Sequence, residues 1–561
     1  MYYIPFRFIG ESRLTLQIRY YFINLRYINP NSNIVMNRFA TSFLAMFLMA
    51  GSVSLEAETF SNPILTGMNP DPSICRVGDD FYLVTSTFEY YPGLPIYHSK
   101  DLVNWHIIGH ALSTHQSNPL KGAGTSGGQY APTLRYHDGT FYIIGTNYGG
   151  EGSRGISIVT AKDPAGPWSD PVWLDQWWVD PSLDFYDGKT YYLSPDNAGS
   201  FLLGTIDVTT GKEIEPRRKV ASGLGGSSPE GPHFYKIGEY YYIMSAEGGT
   251  GYEHREVIQR SKNPYGPYEP SPINPVLSNM NVPEHPFQAI GHADLVQLPD
   301  SSWWAVCLGI RPSKDKFQHM GRETFLAPVT WTDGWPKVGT DGVVAEQYER
   351  PPLPWHPWEK DPERDDFNKD KLNLYWNFLR NPYDKDWSLT ARKGYLRLNG
   401  SALSLKQNDS PAFVGRRQTA LNLEASAKMD FSPVSDNEEA GLIIRGNDKN
   451  HYDFLVTKRD GHKVAMLRQY LNDEEASTDY LELPEGEVVL SIVAGPDEYE
   501  FWVKDKDGKS PRLVGKAATR NLANEVIYGF TGVYIGMYAS GNGKANTNPA
   551  DFDWFDFIEK P

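Results

Sequence analysis

At 561 residues the chain exceeds what one ordinary hydrophobic core organises, which predicts two domains behind an N-terminal leader. Against 53 Lys and Arg stand 69 Asp and Glu, a net charge of −16. That balance excludes a nucleic-acid partner, whose affinity depends on clustered cations that release counterions, and two cysteines exclude a disulfide framework or a Cys-based metal site.

Residues 1–57 read as a leader. Met36-Asn37-Arg38 and the apolar stretch 39–50, followed by the small residues Ser52 and Ser54, have the pattern of a secretory signal peptide. Residues 1–35 are either an over-extended start, with Met36 the initiator, or part of a long leader. The apolar stretch is too short for a stable membrane span, and no Cys follows it to carry a bacterial lipid anchor. A secreted or periplasmic location is expected.

Between residues 60 and 347 one unit recurs five times: a polar or acidic residue, a β-forming segment, a loop with Gly or Asp, and an aromatic strand. The copies begin at Asp71-Pro72-Ser73-Ile74, Ala131-Pro132-Thr133-Leu134, Asp180-Pro181-Ser182-Leu183, Glu230-Gly231-Pro232-His233 and His292-Ala293-Asp294-Leu295. Each spans about 50 to 60 residues of short strands with little helical periodicity, the signature of β-propeller blades around a channel. Five copies predict five blades. The apolar runs around Cys75 and Cys307 fall inside this region, which predicts buried free thiols.

The first strand of a blade lines the channel, so the residue ahead of each copy points to the axis at one end. Three of these five positions are acidic: Asp71, Asp180 and Glu230. A single Asp-Pro would read as a turn opening a strand; three acids at equivalent places in a repeat do not. Residues 348–364 then form a Pro-rich, semi-rigid connector. From 365 to 561, alternating strands such as Val488-Val489-Leu490-Ser491-Ile492-Val493 predict a β-sandwich, closed by strands at Phe530-Thr531-Gly532-Val533-Tyr534-Ile535-Gly536 and Ala550-Asp551-Phe552-Asp553-Trp554-Phe555.

Carboxyl groups on either side of a glycosidic bond can protonate the leaving oxygen and activate the attacking water, and a third can orient the acid and hold its proton. Aromatic residues, 13% of the chain, suit sugar stacking as well as sheet packing. The runs Asn69-Pro70-Asp71-Pro72-Ser73-Ile74, Ser86-Thr87-Phe88-Glu89-Tyr90-Tyr91-Pro92-Gly93, Val179-Asp180-Pro181-Ser182, Ser228-Pro229-Glu230-Gly231-Pro232, Gly291-His292-Ala293-Asp294 and Gly321-Arg322-Glu323-Thr324-Phe325 resemble glycoside hydrolase family 43. The resemblance runs from about residue 60 to the end and is nearest the β-xylosidase and α-L-arabinofuranosidase branch with a C-terminal concanavalin-like sandwich.

That resemblance implies an all-β, five-bladed propeller acting with inversion on terminal xylose or arabinofuranose of xylan or arabinoxylan-type oligosaccharides. It puts Asp71 in the position of the general base, Asp180 in that of the orienting and pKa-modulating acid, and Glu230 in that of the general acid. Phe88, Tyr130, Ala131, His292 and Arg322 fall where that branch binds the terminal sugar, and Phe530 is the candidate side chain sent to the rim by the sandwich. Position 130 carries Tyr where the family often has Trp. Taken alone, Arg322 also fits an ion pair with Glu323, His292 a packed channel histidine, and Phe88 and Tyr130 ordinary blade packing. Related propellers sometimes hold a calcium on the axis, but no oxygen-rich ligand run of the EF-hand type appears, so no metal or cofactor is implied. The competing readings are an endo-arabinanase, which needs an open groove, and a carbohydrate-binding propeller without catalysis; a serine or metal hydrolase lacks its Gly-x-Ser-x-Gly or His-Glu-x-x-His element.

Overall fold

In the computed structural model the described residues are 58–560, apart from Ser153, Arg154 and Trp177; the leader lies outside them. Among the described residues, five four-stranded antiparallel sheets follow one another along the chain, four of them built from consecutive strands and the first interrupted by Tyr90–Tyr91 between its second and third strands. Their first strands are Ser73–Val77, Gly128–His137, Ser182–Tyr186, Glu230–Ile237 and Gln288–Gln297. The first strands of blades one and two, two and three, three and four, and five and one lie side by side around the axis. Hairpins such as Asp138-Gly139 and Asp187-Gly188 have positive φ at both residues, the type I′ geometry that matches strand twist. Between blades the packing is apolar: Leu183, Tyr192 and Ile206 of blade three lie against Ile144, Ile156 and Ile158 of blade two.

The propeller is closed by its own ends, Thr59–Ser61 pairing antiparallel with Gln347–Glu349. The closing strand therefore runs two residues into the segment read as connector. Beyond it the Pro-rich run is fastened to blade one, the His356 N–H donating to Asp101 and the Trp358 indole to the Asn104 carbonyl.

The second half is a sandwich of one eight-stranded and one nine-stranded sheet, running from Arg364–Asp365 to Ala550–Glu559. The larger sheet ends on a strand of the propeller: Tyr90–Tyr91, from blade one, pairs with Asn377–Leu379. Met68, Phe88 and Tyr90 of the propeller share one buried cluster with Phe413, Ile443 and Tyr534 of the sandwich, and the Tyr90 ring stacks on Tyr534 at 3.6 Å. A buried ion cluster crosses the same seam, with Arg445 reaching Glu89 and Asp448, and Arg380 reaching Asp448. The sandwich thus takes a segment of blade one into its own larger sheet and shares a buried core with the propeller.

One strand expectation needs correcting. The run from Phe530 to Gly536 is not one strand; pairing begins at Tyr534–Ser540. The residues before it form a loop laid on blade five, where the Val533 N–H donates to the His319 carbonyl. Gly532 permits this approach, because a Cβ there would lie 2.1 Å from the Met320 oxygen. Cys75 and Cys307 are free and buried, and burial pushes the Cys75 thiol up to about 12.

Candidate active site

The heads of the channel strands share a local device. Asp71 and Asp180 sit just before their strands with φ of 54° and 53°, and Gly231, directly after Glu230, has φ of 56°. His292 adopts φ of 50°, and the pairing register shifts between Tyr130 and Thr133, Glu230 and His233, and Gly291 and Asp294. Left-handed residues and bulges break the alternation of a strand and re-aim side chains. Here they bring the strand heads together at one end of the channel.

Asp71, Phe88, Tyr130, Ala131, Asp180, Glu230, His292, Arg322 and Phe530 line one cavity of about 110 Å³, together with Val179 and Thr250. All nine residues singled out in the sequence therefore meet. Val179 adjoins Asp180, whereas Thr250 lies in a loop between strands, where the repeat carries no signal. Ser86 also escaped notice: its hydroxyl donates to Asp71 Oδ2 at 2.5 Å, while Arg322 Nη1 donates to Oδ1 at 2.7 Å. Both oxygens of Asp71 thus act as acceptors, and the group is 4% exposed.

Arg322 does not pair with its neighbour. Glu323, the first residue of its strand, turns to Arg311 and to the Gly67 N–H, while Arg322, just ahead of the strand, turns to Asp71. The guanidinium carbon lies 5.7 Å from the Phe88 ring and 5.9 Å from the Phe530 ring, and Arg322 Nε is buried with no hydrogen-bond partner among the described residues. His292 is wedged against Gly231, where a Cβ would meet its ring at 2.8 Å, and its Nδ1 lies 4.0 Å from Asp71. Burial holds its imidazole below the usual range, against the pull of Asp71.

Phe88, Tyr130 and Phe530 form an aromatic wall, with Phe88 5.0 Å from Tyr130 and 6.1 Å from Phe530. Ser126 fastens it, its carbonyl accepting from the Tyr130 hydroxyl and its Oγ from the Phe530 N–H. The Ser126 N–H donates to Glu89, which ties the wall to the ion cluster of the sandwich seam.

The three acids have different surroundings. Burial, and then the charge of Asp71, push the Glu230 carboxyl up to about 7, against the opposing Arg322. Asp180 is driven well above the carboxylate range by burial, then by Glu230 and Asp71; its Oδ2 accepts the Gly231 N–H at 3.1 Å. The charge assisting burial at Glu230 is thus Asp71, with Asp180 placed against the peptide that follows the acid. Two larger cavities adjoin the pocket. One of about 630 Å³, reached past Val179 and Glu230, is lined by Trp178, Asp196 and Ser222; one of about 410 Å³, beyond Arg322 and Phe530, meets Tyr252 and Tyr528. Among the described residues no group of three or more His, Cys, Asp or Glu is placed to hold a metal ion.

Carboxyl groups in contrasting environments, in an aromatic-walled pocket at the end of a propeller channel, are the equipment of a glycosidase. The Glycosyl hydrolases family 43 model matches residues 60–336, and that of the β-xylosidase C-terminal concanavalin A-like domain matches 364–558. The chain is 69% identical over 513 residues to a non-reducing end α-L-arabinofuranosidase of Bacteroides ovatus, covering 91% of this chain and 97% of that protein. It is 35% identical over 536 residues to a β-xylosidase of Bacillus subtilis, covering 89% and 99%. Among solved structures, a Bacteroides ovatus protein described as Xyloglucan PUL GH43B superposes with a TM-score of 0.88 at 69% identity, covering 90% of this chain and all of that one. A xylan β-1,4-xylosidase from Bacillus halodurans gives 0.84 at 34% identity, covering 89% and 100%. The chain belongs to glycoside hydrolase family 43.

Proposed function

We propose that the protein is an inverting, exo-acting glycosidase that releases terminal α-L-arabinofuranose from plant-type oligosaccharides, with β-D-xylose as its second substrate. The carrying observation is the contrast within the pocket: Glu230 is buried with its carboxyl pushed up to about 7, while Asp71 is ion-paired to Arg322 at 2.7 Å. In this reading Glu230 donates its proton to the glycosidic oxygen as the bond to the anomeric carbon breaks. Asp71 takes a proton from the water whose oxygen forms the new bond on the opposite face. The proton left on Asp71 and the one lost from Glu230 re-equilibrate through solvent. Asp180, its carboxyl raised by burial and then by Glu230 and Asp71, orients the acid by accepting the Gly231 N–H. The leaving group departs past Glu230 into the cavity beside Trp178, and Arg322, which lines the pocket, holds Asp71 in place.

Arabinofuranose is put first because the relative at 69% identity is named for it; xylose follows because relatives at 34–36% identity are named as xylosidases or as xylosidase/arabinosidases. Parallel kinetics on aryl α-L-arabinofuranoside and aryl β-D-xylopyranoside test the order, and a higher kcat/KM on the xyloside reverses it. NMR of the first-formed sugar tests inversion, which requires the Asp71 and Glu230 carboxyls to stand about 6.5 to 9.5 Å apart; a retained anomer rules it out. Export is also proposed, from the signal-like segment at 36–50. Fractionation of cells producing the full chain tests it, and retention in the cytoplasm contradicts it.

A further inference from the structure

Below the pocket the channel narrows onto one guanidinium. Arg135, on the first strand of blade two, reaches side chains from the first strands of the other four blades. Its Nε donates to Asp184 of blade three at 2.7 Å, and its Nη1 to Asp294 of blade five at 2.8 Å and to Ser73 of blade one at 3.3 Å. Its Nη2 lies 3.2 Å from Nδ1 of His233 in blade four, and 3.3 Å from Asp294 Oδ1. Because a guanidinium only donates, Nδ1 accepts and the neutral ring keeps its proton on Nε2. The Asp294 carboxylate collects three further donors: the Ser73 hydroxyl at 2.7 Å, the Tyr235 hydroxyl at 2.7 Å and the Ile74 N–H at 3.0 Å.

Each member of this cluster lies a few residues along the strand from a pocket group. Ser73 follows Asp71 by two, Asp184 follows Asp180 by four, His233 follows Glu230 by three, and Asp294 follows His292 by two. The apolar packing between blades is non-directional and tolerates small slips. A planar fork between two carboxylates does not, since its hydrogen bonds weaken steeply when misaligned. Buried ionic clusters are weak sources of net stability and better at selecting one geometry.

We infer that Arg135 is a positioning residue whose guanidinium ties the five blades together at the axis and so sets the spacing of Asp71, Asp180 and Glu230. The inference rests on the roles proposed above for those acids. A lysine keeps the charge but cannot span partners on four strands, and misplacing reacting groups by about 1 Å can lower rates about 100-fold.

The test compares Arg135→Lys and Arg135→Ala with Glu230→Gln on aryl arabinofuranosides of graded leaving-group ability, with circular dichroism and melting curves on each. The expected result is a folded Arg135→Lys whose kcat falls about 10- to 100-fold, equally across leaving groups. Added guanidinium ion should restore part of the Arg135→Ala activity, whereas methylammonium at the same concentration should not. Wild-type kcat in folded Arg135→Lys, or a loss matching only its unfolded fraction, overturns the inference. Where the arginine variants do not fold, Tyr235→Phe and Asp184→Asn decide: a kcat loss of about threefold or more in the folded proteins supports it, and unchanged kcat in both removes it. The Glu230→Gln series reports separately on the acid assignment, so failure of that reading is not confused with failure of this one.

Discussion

Replacing Arg445 by Met tests whether the sandwich is part of the active site. Arg445 and Glu89 are both fully buried, with Arg445 Nη1 3.3 Å from Glu89 Oε1 and 2.7 Å from the Tyr90 hydroxyl. Asp448 would keep Arg380 at 2.6 Å, so the group stranded by Arg445→Met is Glu89. Removing one side of a buried pair costs about 3–5 kcal/mol, because the remaining charge is uncompensated. The loss depends on pH. Burial already pushes the Glu89 carboxyl up against the pull of Arg445, and without that cation it rises further. A carboxyl raised on folding has its stabilising contribution below its unfolded value and loses it as pH rises towards the folded value. Urea denaturation should therefore show the full loss at pH 8 and less than half of it near pH 4. The same variant should lower kcat/KM on a small aryl glycoside about tenfold, since Glu89 holds Ser126 and Ser126 holds Tyr130 and Phe530. Adding Glu89→Gln should recover stability at pH 8. A loss below about 1 kcal/mol, or one independent of pH, would refute the reasoning.

Glu230→Gln should lower activity about 100- to 10,000-fold on glycosides with poor leaving groups and far less on those needing no proton, measured as kcat/KM across an aryl series. Asp71→Asn should lose a similar factor whatever the leaving group, because water activation is needed in every case. In the wild type, kcat/KM should fall as pH rises through about 7, where Glu230 loses its proton; Glu230→Gln should lack that limb. The same raised carboxyl makes a stability claim: the wild type loses stability between the ordinary glutamate range and about 7, so Glu230→Gln should melt higher at pH 8 and no higher at pH 4. A chain ended after Glu349 should be insoluble or inactive even on small aryl glycosides, since it loses the partner of Tyr90–Tyr91 and the pocket wall at Phe530 together; full activity there would make the sandwich an independent module.

Two features escaped the sequence because they are made by residues far apart in it. Glu89 and Tyr90 follow Phe88 in a family-like motif, but their partners Arg445 and Tyr534 are more than 350 residues away in a different fold. Arg135 sits in the copy of the repeat that opens on Ala131 and carries no sign that four other blades converge on it. The pattern of the closing run from Phe530 predicts a strand; docking on blade five overrides it up to Tyr534, with Gly532 allowing the close approach.

What the sequence determined by itself was whatever repeats or alternates locally. The five copies gave the blades, and the acids ahead of three of them gave the candidate carboxyls, because a repeated backbone geometry sends equivalent positions to equivalent places around one axis. Whether Arg322 pairs with Glu323 was left to the closing of the ring, which gives Glu323 to Arg311 and places Arg322 2.7 Å from Asp71. The contrast among the acids was also tertiary: Asp71, Asp180 and Glu230 are alike in sequence, and only burial, Arg322 and the neighbouring charges give them different surroundings. Charge and desolvation act through space, so the chain had to fold before the three could differ.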